Sequence, residues 1–164
     1  MLQGMRPEEI LELRKENIHL EANQLLVVSG KSRAARRTLD LTSESRSILA
    51  SRMKGISPWV FPSPRDTSRH CGPLNGPHDR LIAKAQKEGV NLNFVLYDFR
   101  HTFATRMAQA GVDLKTLAEI LGHSSIRLVD RYVHPTAEHK KRAMKIYERA
   151  SNSLLAKRLK ARTN

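Results

Sequence analysis

Arg100-His101-Thr102-Phe103, Leu121-Gly122-His123 and Tyr132 follow one another in the C-terminal half of the chain, with Arg6 and Lys31 upstream. These residue types fit the breaking of a phosphodiester bond by a side chain. That reaction needs a nucleophile, neutralisation of charge on the non-bridging oxygens, and a proton for the leaving oxygen. Tyrosine can be the nucleophile. A guanidinium presents a planar fork that grips two phosphate oxygens and stays charged at any relevant pH. A metal could neutralise the charge instead, but the sequence shows no convincing acidic metal cluster, and two arginines can do the same work.

The rest of the composition agrees with a polyanionic partner. The chain has 164 residues, of which 40% are hydrophobic, enough for one modest domain with a core. Lys and Arg number 29 against 16 Asp and Glu, a formal net charge of +13. A folded domain this basic repels itself unless a polyanion neutralises it, so DNA or RNA is the first expectation. An anionic membrane surface is the rival. Neither a long apolar run nor a signal peptide is visible. The single cysteine, Cys71, cannot form an internal disulfide, and zinc-ligand spacing is absent. A soluble cytoplasmic, nucleoid-associated protein is expected.

Several elements must position the candidate residues. Pro7 to Leu13 reads as a short helix with proline and acidic residues in its first turn. Residues 17–20, 25–28 and 37–41 read as three strands, the last two joined by the turn Ser29-Gly30-Lys31-Ser32-Arg33. Thr42 caps a helix to about Lys54. Residues 55–77 read as a loop with one extended segment at Trp59-Val60-Phe61. Helices follow from Leu81 to about Gly89, Phe99 to Ala110 and Leu114 to Leu121, the last capped by Asp113. A short helix carries Tyr132, and a long basic one runs from Ala137 to about Leu159. Phe103, Met107, Leu114, Leu117, Ile120 and Leu121 recur at helical spacing as core. The expected class is α+β, mainly α-helical, with a small three-stranded antiparallel sheet near the N-terminus, and no boundary argues for two domains within 1–164.

The motifs resemble the catalytic domain of tyrosine recombinases, the phage integrase family. Gly4-Met5-Arg6-Pro7-Glu8-Glu9 is similar to the family's first box, and Gly30-Lys31 matches the place of its lysine. Tyr97-Asp98-Phe99-Arg100-His101-Thr102-Phe103-Ala104-Thr105 resembles the second box, Leu121-Gly122-His123 the third, and Asp130-Arg131-Tyr132 holds the nucleophile position. The resemblance implies that fold and these roles. Tyr132 attacks the scissile phosphate and forms a 3′-phosphotyrosyl link. Arg6 and Arg100 clamp its oxygens, His123 hydrogen-bonds it, and Lys31 protonates the leaving 5′-oxygen. No metal or cofactor is implied. Double-stranded DNA is the implied partner, bound by a homo-oligomer (a tetramer on DNA), with accessory DNA-bending proteins possible.

Two departures qualify the expectation. The family usually has a histidine three residues before Arg100, where this chain has Tyr97. Tyrosine is a poor base at neutral pH, so cleavage is expected to be slower than with histidine, by up to the range of about 10²–10⁴-fold that acid–base help supplies. Arg6 also stands almost at the first residue, so a partial catalytic domain without a preceding DNA-gripping domain is expected. Type IB topoisomerase-like cleavage and a weakened DNA-binding remnant are the alternatives, with a helix-turn-helix regulator more distant. Arg33, Arg36 and Arg37 compete with Lys31 for its role. Glu9 and His101 read as structural, Tyr147 as packing, and His134 as a loop residue.

Overall fold

The computed structural model describes residues 3–28, 30, 35–132 and 137–160. Contacts divide the chain into two compact units, 1–132 and 133–164. The first begins with α1 (Pro7–Leu11), where Pro7 sits in the first turn and needs no intrahelical partner for its missing N–H. A single 3₁₀ turn over Lys15–Asn17 leads into the sheet. Strands β1 (Ile18–His19), β2 (Gln24–Val27) and β3 (Arg37–Asp40) form an antiparallel sheet in the order β1-β2-β3. Leu25 pairs with Leu39 and Val27 with Arg37. Side chains alternate across a strand, so Leu25, Val27 and Leu39 face one core together with Met5, Leu13, Leu49 and Val60.

The extended segment around Trp59 lies beside the chain at 13–15: the Lys15 N–H donates to Pro58 O and the Val60 N–H to Leu13 O. The Thr42 side chain caps α2 (Ser43–Arg52) by accepting from the Ser45 N–H. The helix expected from Leu81 begins earlier: α3 spans Asn75–Lys87 and encloses Gly76 and Pro77. Proline is tolerated there because N–H groups of a helix's first turn have no intrahelical acceptor.

Helices α4 (Asp98–Gln109), α5 (Leu114–Leu121) and α6 (Arg127–Asp130) complete the unit. Leu117, Leu121, Ala104, Val129 and Tyr132 form a second core, with Phe103, Met107 and Leu114 packed against it and Ile120 against the first. Fully burying a leucine contributes about 1.5–3 kcal/mol, so Leu117 and Leu121 hold α5 firmly in place. Tyr132 lies just past α6 rather than within it, its N–H donating to Val129 O.

The second unit is α7 (Ala137–Lys160). Its described side chains are exposed apart from Ser151; Tyr147, expected to pack, is 67% exposed beside exposed Met144 and Ile146. Lys31, His134, and the basic side chains from Lys157 onward lie outside the described residues. Among the described residues, no helix is long and apolar enough to cross a membrane.

Candidate active site

The first unit folds so that three arginines converge on one helix end. Asp113 caps the start of α5 by accepting from the Lys115 and Thr116 N–H groups. Gly122 ends the helix at φ 65°, ψ 45°, a left-handed conformation that glycine adopts without a Cβ penalty. The last carbonyls of a helix lack intrahelical donors and carry the negative end of its dipole. Here three consecutive ones each take a guanidinium. Arg37 Nε donates to Ile120 O at 2.6 Å, Arg100 Nη2 to Leu121 O, and Arg6 Nη2 to Gly122 O at 3.4 Å.

Glu9 ties this set together. On α1 it accepts from the Arg6 backbone N–H at 2.9 Å and from Arg6 Nη1 at 2.6 Å. The same carboxylate accepts from Arg37 Nη1 at 3.1 Å and Nη2 at 2.9 Å. The Glu9 and Arg37 side chains are 4% and 7% exposed, against 29% for Arg6. Burial alone would raise the Glu9 pKa; the Arg37 hydrogen bonds, then the Arg6 N–H, outweigh it and hold the carboxyl below its usual range.

Arg100 is 1% exposed on α4. Its Nη1 donates to Gly4 O at 2.8 Å, and its Nη2 lies 2.9 Å from His123 Nε2. Gly4 is at φ 61°, and a Cβ there would collide with the Phe103 ring, so glycine lets this carbonyl reach Arg100. Burial, then the nearby charge of Arg6, lowers Arg100 to about 10, which leaves it protonated at neutral pH. Burial, then Arg100 and Arg6, lowers His123 to about 4, so its imidazole is neutral. A neutral ring that accepts from Arg100 at Nε2 carries its proton on Nδ1. That Nδ1 and Arg100 Nε are buried without a hydrogen-bond partner among the described residues.

Tyr132 is 8% exposed, and its hydroxyl lies 2.6 Å from His101 Nδ1. Tyr97 sits at the N-cap of α4, with its ring edge-on to His101 at 5.0 Å and 5.9 Å from the Arg100 guanidinium carbon. Burial, helped by Tyr97, raises the Tyr132 pKa, while Arg131 and Arg100 oppose the rise. Arg6, Arg100 and His123 therefore meet around the end of α5, and Tyr132 is held through His101, the neighbour of Arg100. Sequence reasoning weighs Arg37 only as a competitor for the Lys31 role and His101 only as structural. Arg37 shares the parity of buried Leu39 on β3, which points it inward. His101 lies one turn beyond Tyr97, on the same face of α4.

The sequence pattern of the phage integrase family matches residues 1–139. The chain belongs to the phage integrase family. The tyrosine recombinase XerA of Pyrococcus horikoshii is 29% identical over 86% of this chain and 50% of its own length. The tyrosine recombinase XerC of Bacillus licheniformis is 32% identical over 80% of this chain and 45% of its own. This phage integrase family chain thus spans about half the length of the curated relatives it matches. The Tn1549 transposon integrase, solved in complex with circular intermediate DNA, shares the fold with a TM-score of 0.71 at 21% identity. The match covers 88% of this chain and 56% of that one. The fold is that of a tyrosine-recombinase catalytic domain, as expected from the motifs.

The site makes the stability of this family member pH-dependent. His123 is near 4 when folded and 6.5 by its ordinary value. As pH falls from about 6.5 to 4 the unfolded chain takes up a proton that the fold refuses, so stability falls across that window. Glu9 acts next. Its contribution is present above the ordinary value of 4.5 and is lost as pH drops through its lower folded value. Urea unfolding at a series of pH values is expected to show wild type losing stability from pH 6.5 downward. His123→Gln is expected to stay flat until below pH 4.5. A variant as steep as wild type between 6.5 and 4.5 would remove His123 as the source.

Proposed function

We propose that this protein is the strand-cleaving and rejoining part of a site-specific DNA recombinase or integrase, working through a 3′-phosphotyrosyl intermediate on double-stranded DNA. The observation that carries this reading is the set of cations on the α5 terminus with a neutral histidine against Arg100 and a tyrosine one residue-contact away. One carboxylate pairs with Arg6 and Arg37 and none with Arg100, so the cluster keeps excess positive charge where a phosphate would sit. The buried donors Arg100 Nε and His123 Nδ1 are groups that phosphate oxygens would satisfy.

In this reading Tyr132 Oη attacks phosphorus, Arg6 and Arg100 hold the non-bridging oxygens, His123 donates a hydrogen bond, and Lys31 supplies the proton to the departing 5′-oxygen. The phosphotyrosine conserves the bond energy for rejoining. The relatives named recombinases and the integrase solved on DNA support the substrate. A tetramer on DNA in the nucleoid, accompanied by DNA-bending proteins, is the assembly we propose. The exposed Met144, Ile146 and Tyr147 of α7 are suited to a neighbouring protomer, and its lysines to DNA backbone.

The test is covalent adduct formation on nicked suicide DNA, read on denaturing gels. An adduct is expected from wild type and none from Tyr132→Phe, because phenylalanine has no oxygen to link. Salt-sensitive DNA binding with no adduct from wild type would support the weakened, DNA-binding reading instead. Supercoil relaxation without exchange between duplexes would point to topoisomerase-like action.

A further inference from the structure

Strand cleavage requires the Tyr132 hydroxyl to lose a proton, and its buried setting makes that loss harder. The position from which the family's histidine would help holds Tyr97, a phenol in place of an imidazole. The heavy atom that does touch the Tyr132 oxygen is His101 Nδ1, at 2.6 Å. The two rings lie 5.7 Å apart at a 44° tilt, and Tyr97 braces the other side of the imidazole edge-on at 5.0 Å. Among the described residues, Arg131 lies 5.5 Å over the Tyr132 ring and Arg100 lies 5.9 Å from the Tyr97 ring. Both favour a phenolate.

We infer that His101 is the proton acceptor for Tyr132 in strand cleavage, taking the part that Tyr97 cannot play. The inference rests on the strand-cleavage reading above. The imidazole begins neutral with its proton on Nε2, so that Nδ1 accepts from the Tyr132 O–H. As the Oη–P bond forms, the Oη proton passes to Nδ1. The P–O5′ bond breaks, and the leaving oxygen takes a proton from Lys31. His101 is left as imidazolium and Lys31 as a neutral amine. In rejoining, the 5′-hydroxyl returns its proton to Lys31 and His101 returns its own to Tyr132, so no proton is gained or lost over the cycle. A hydrogen-bond distance of 2.6 Å is within reach for such a transfer without rearrangement. Tyr97 then acts as a positioning residue that limits the tilt of the His101 ring.

Two measurements on the whole chain test this. Nitrogen NMR of the imidazoles at pH 7 is expected to show His101 as the Nε2–H tautomer with Nδ1 accepting, and the Nδ1 signal is expected to move in Tyr132→Phe. An Nδ1–H tautomer would overturn the inference, since such a ring donates to the phenol oxygen and cannot take its proton. The second is single-turnover adduct formation with His101→Asn, whose Oδ1 can accept a hydrogen bond near the Nδ1 position but cannot hold the proton. The expected loss is about 10²–10⁴-fold at pH 7 with DNA binding unchanged. The rate should recover as pH rises toward 9 and hydroxide takes over, and DNA with a 5′-bridging sulfur, which leaves without a proton, should not restore it. A His101→Asn rate and pH profile equal to those of wild type would overturn the assignment alone. Full restoration by the sulfur substrate would do so too, by making His101 a donor to the leaving group. A wild-type chain that gives no adduct overturns the cleavage reading itself, and the role of His101 with it.

Discussion

Arg100→Lys is expected to reduce adduct formation by about 10³-fold or more, the scale on which a transition-state arginine acts in phosphoryl transfer. Charge alone does not make Arg100 suitable. Its two terminal nitrogens serve Gly4 O, Leu121 O and His123 Nε2, three acceptors on two separate stretches of chain. A planar fork spans those directions and an ammonium at the end of a flexible stem does not. The protonation state changes as well. Burial and Arg6 pull Arg100 down from its ordinary value to about 10. The same burial and the same neighbouring charge would lower a lysine too, and its ordinary value of about 10.4 lies closer to neutrality to begin with. The variant's residual activity should therefore fade with rising pH sooner than that of wild type. Single-turnover adduct assays from pH 6.5 to 9 would show this. A lysine variant within tenfold of wild type across that range would mean the guanidinium geometry is dispensable.

Glu9→Gln is expected to be the most destabilising single change in the site. It keeps the shape of the side chain and removes the one carboxylate that serves both Arg6 and Arg37. Arg37 is then a nearly buried cation whose remaining partners are carbonyls of Ala35 and Ile120. Breaking a buried pair from one side costs about 3–5 kcal/mol, a large share of the roughly 5–15 kcal/mol that holds a domain folded. The midpoint of thermal unfolding should fall by about 10 °C. Adding Arg37→Met to Glu9→Gln removes the stranded charge and should recover part of the loss, a coupling that a double-mutant cycle measures. If the two changes simply add, the buried pair is not the source of the stability.

Much of this was legible in the chain because it is local. Asp113 and Thr42 announce the helix starts they cap, and the runs Leu25-Leu26-Val27 and Arg37-Thr38-Leu39 on either side of a glycine-containing turn mark two paired strands, whose inner face emerges only with their register. The order of Arg6, Arg100, His123 and Tyr132 located the site. What was not legible depends on tertiary meeting. Arg37 stood in the sequence as one of several competitors for the Lys31 role, and only the docking of α1 against β3 brings Glu9 to it across 28 residues. His101 read as a packed helix residue because nothing in its spacing reveals that the chain after α6 returns Tyr132 to within hydrogen-bond reach. The early start of α3 was hidden by Gly76 and Pro77, which disfavour a helix interior but are harmless in a first turn.

The carbonyls that receive the three arginines belong to Ile120, Leu121 and Gly122, which are adjacent along the backbone. Adjacent peptide groups are rigid planes that share one Cα, so a change in φ or ψ there re-aims the neighbouring carbonyls relative to one another. A twist in the last turn of α5 would therefore disturb all three cations at once rather than one at a time. The centre behaves as a single latch: either the whole set is in register, or none of it is ready to receive a strand.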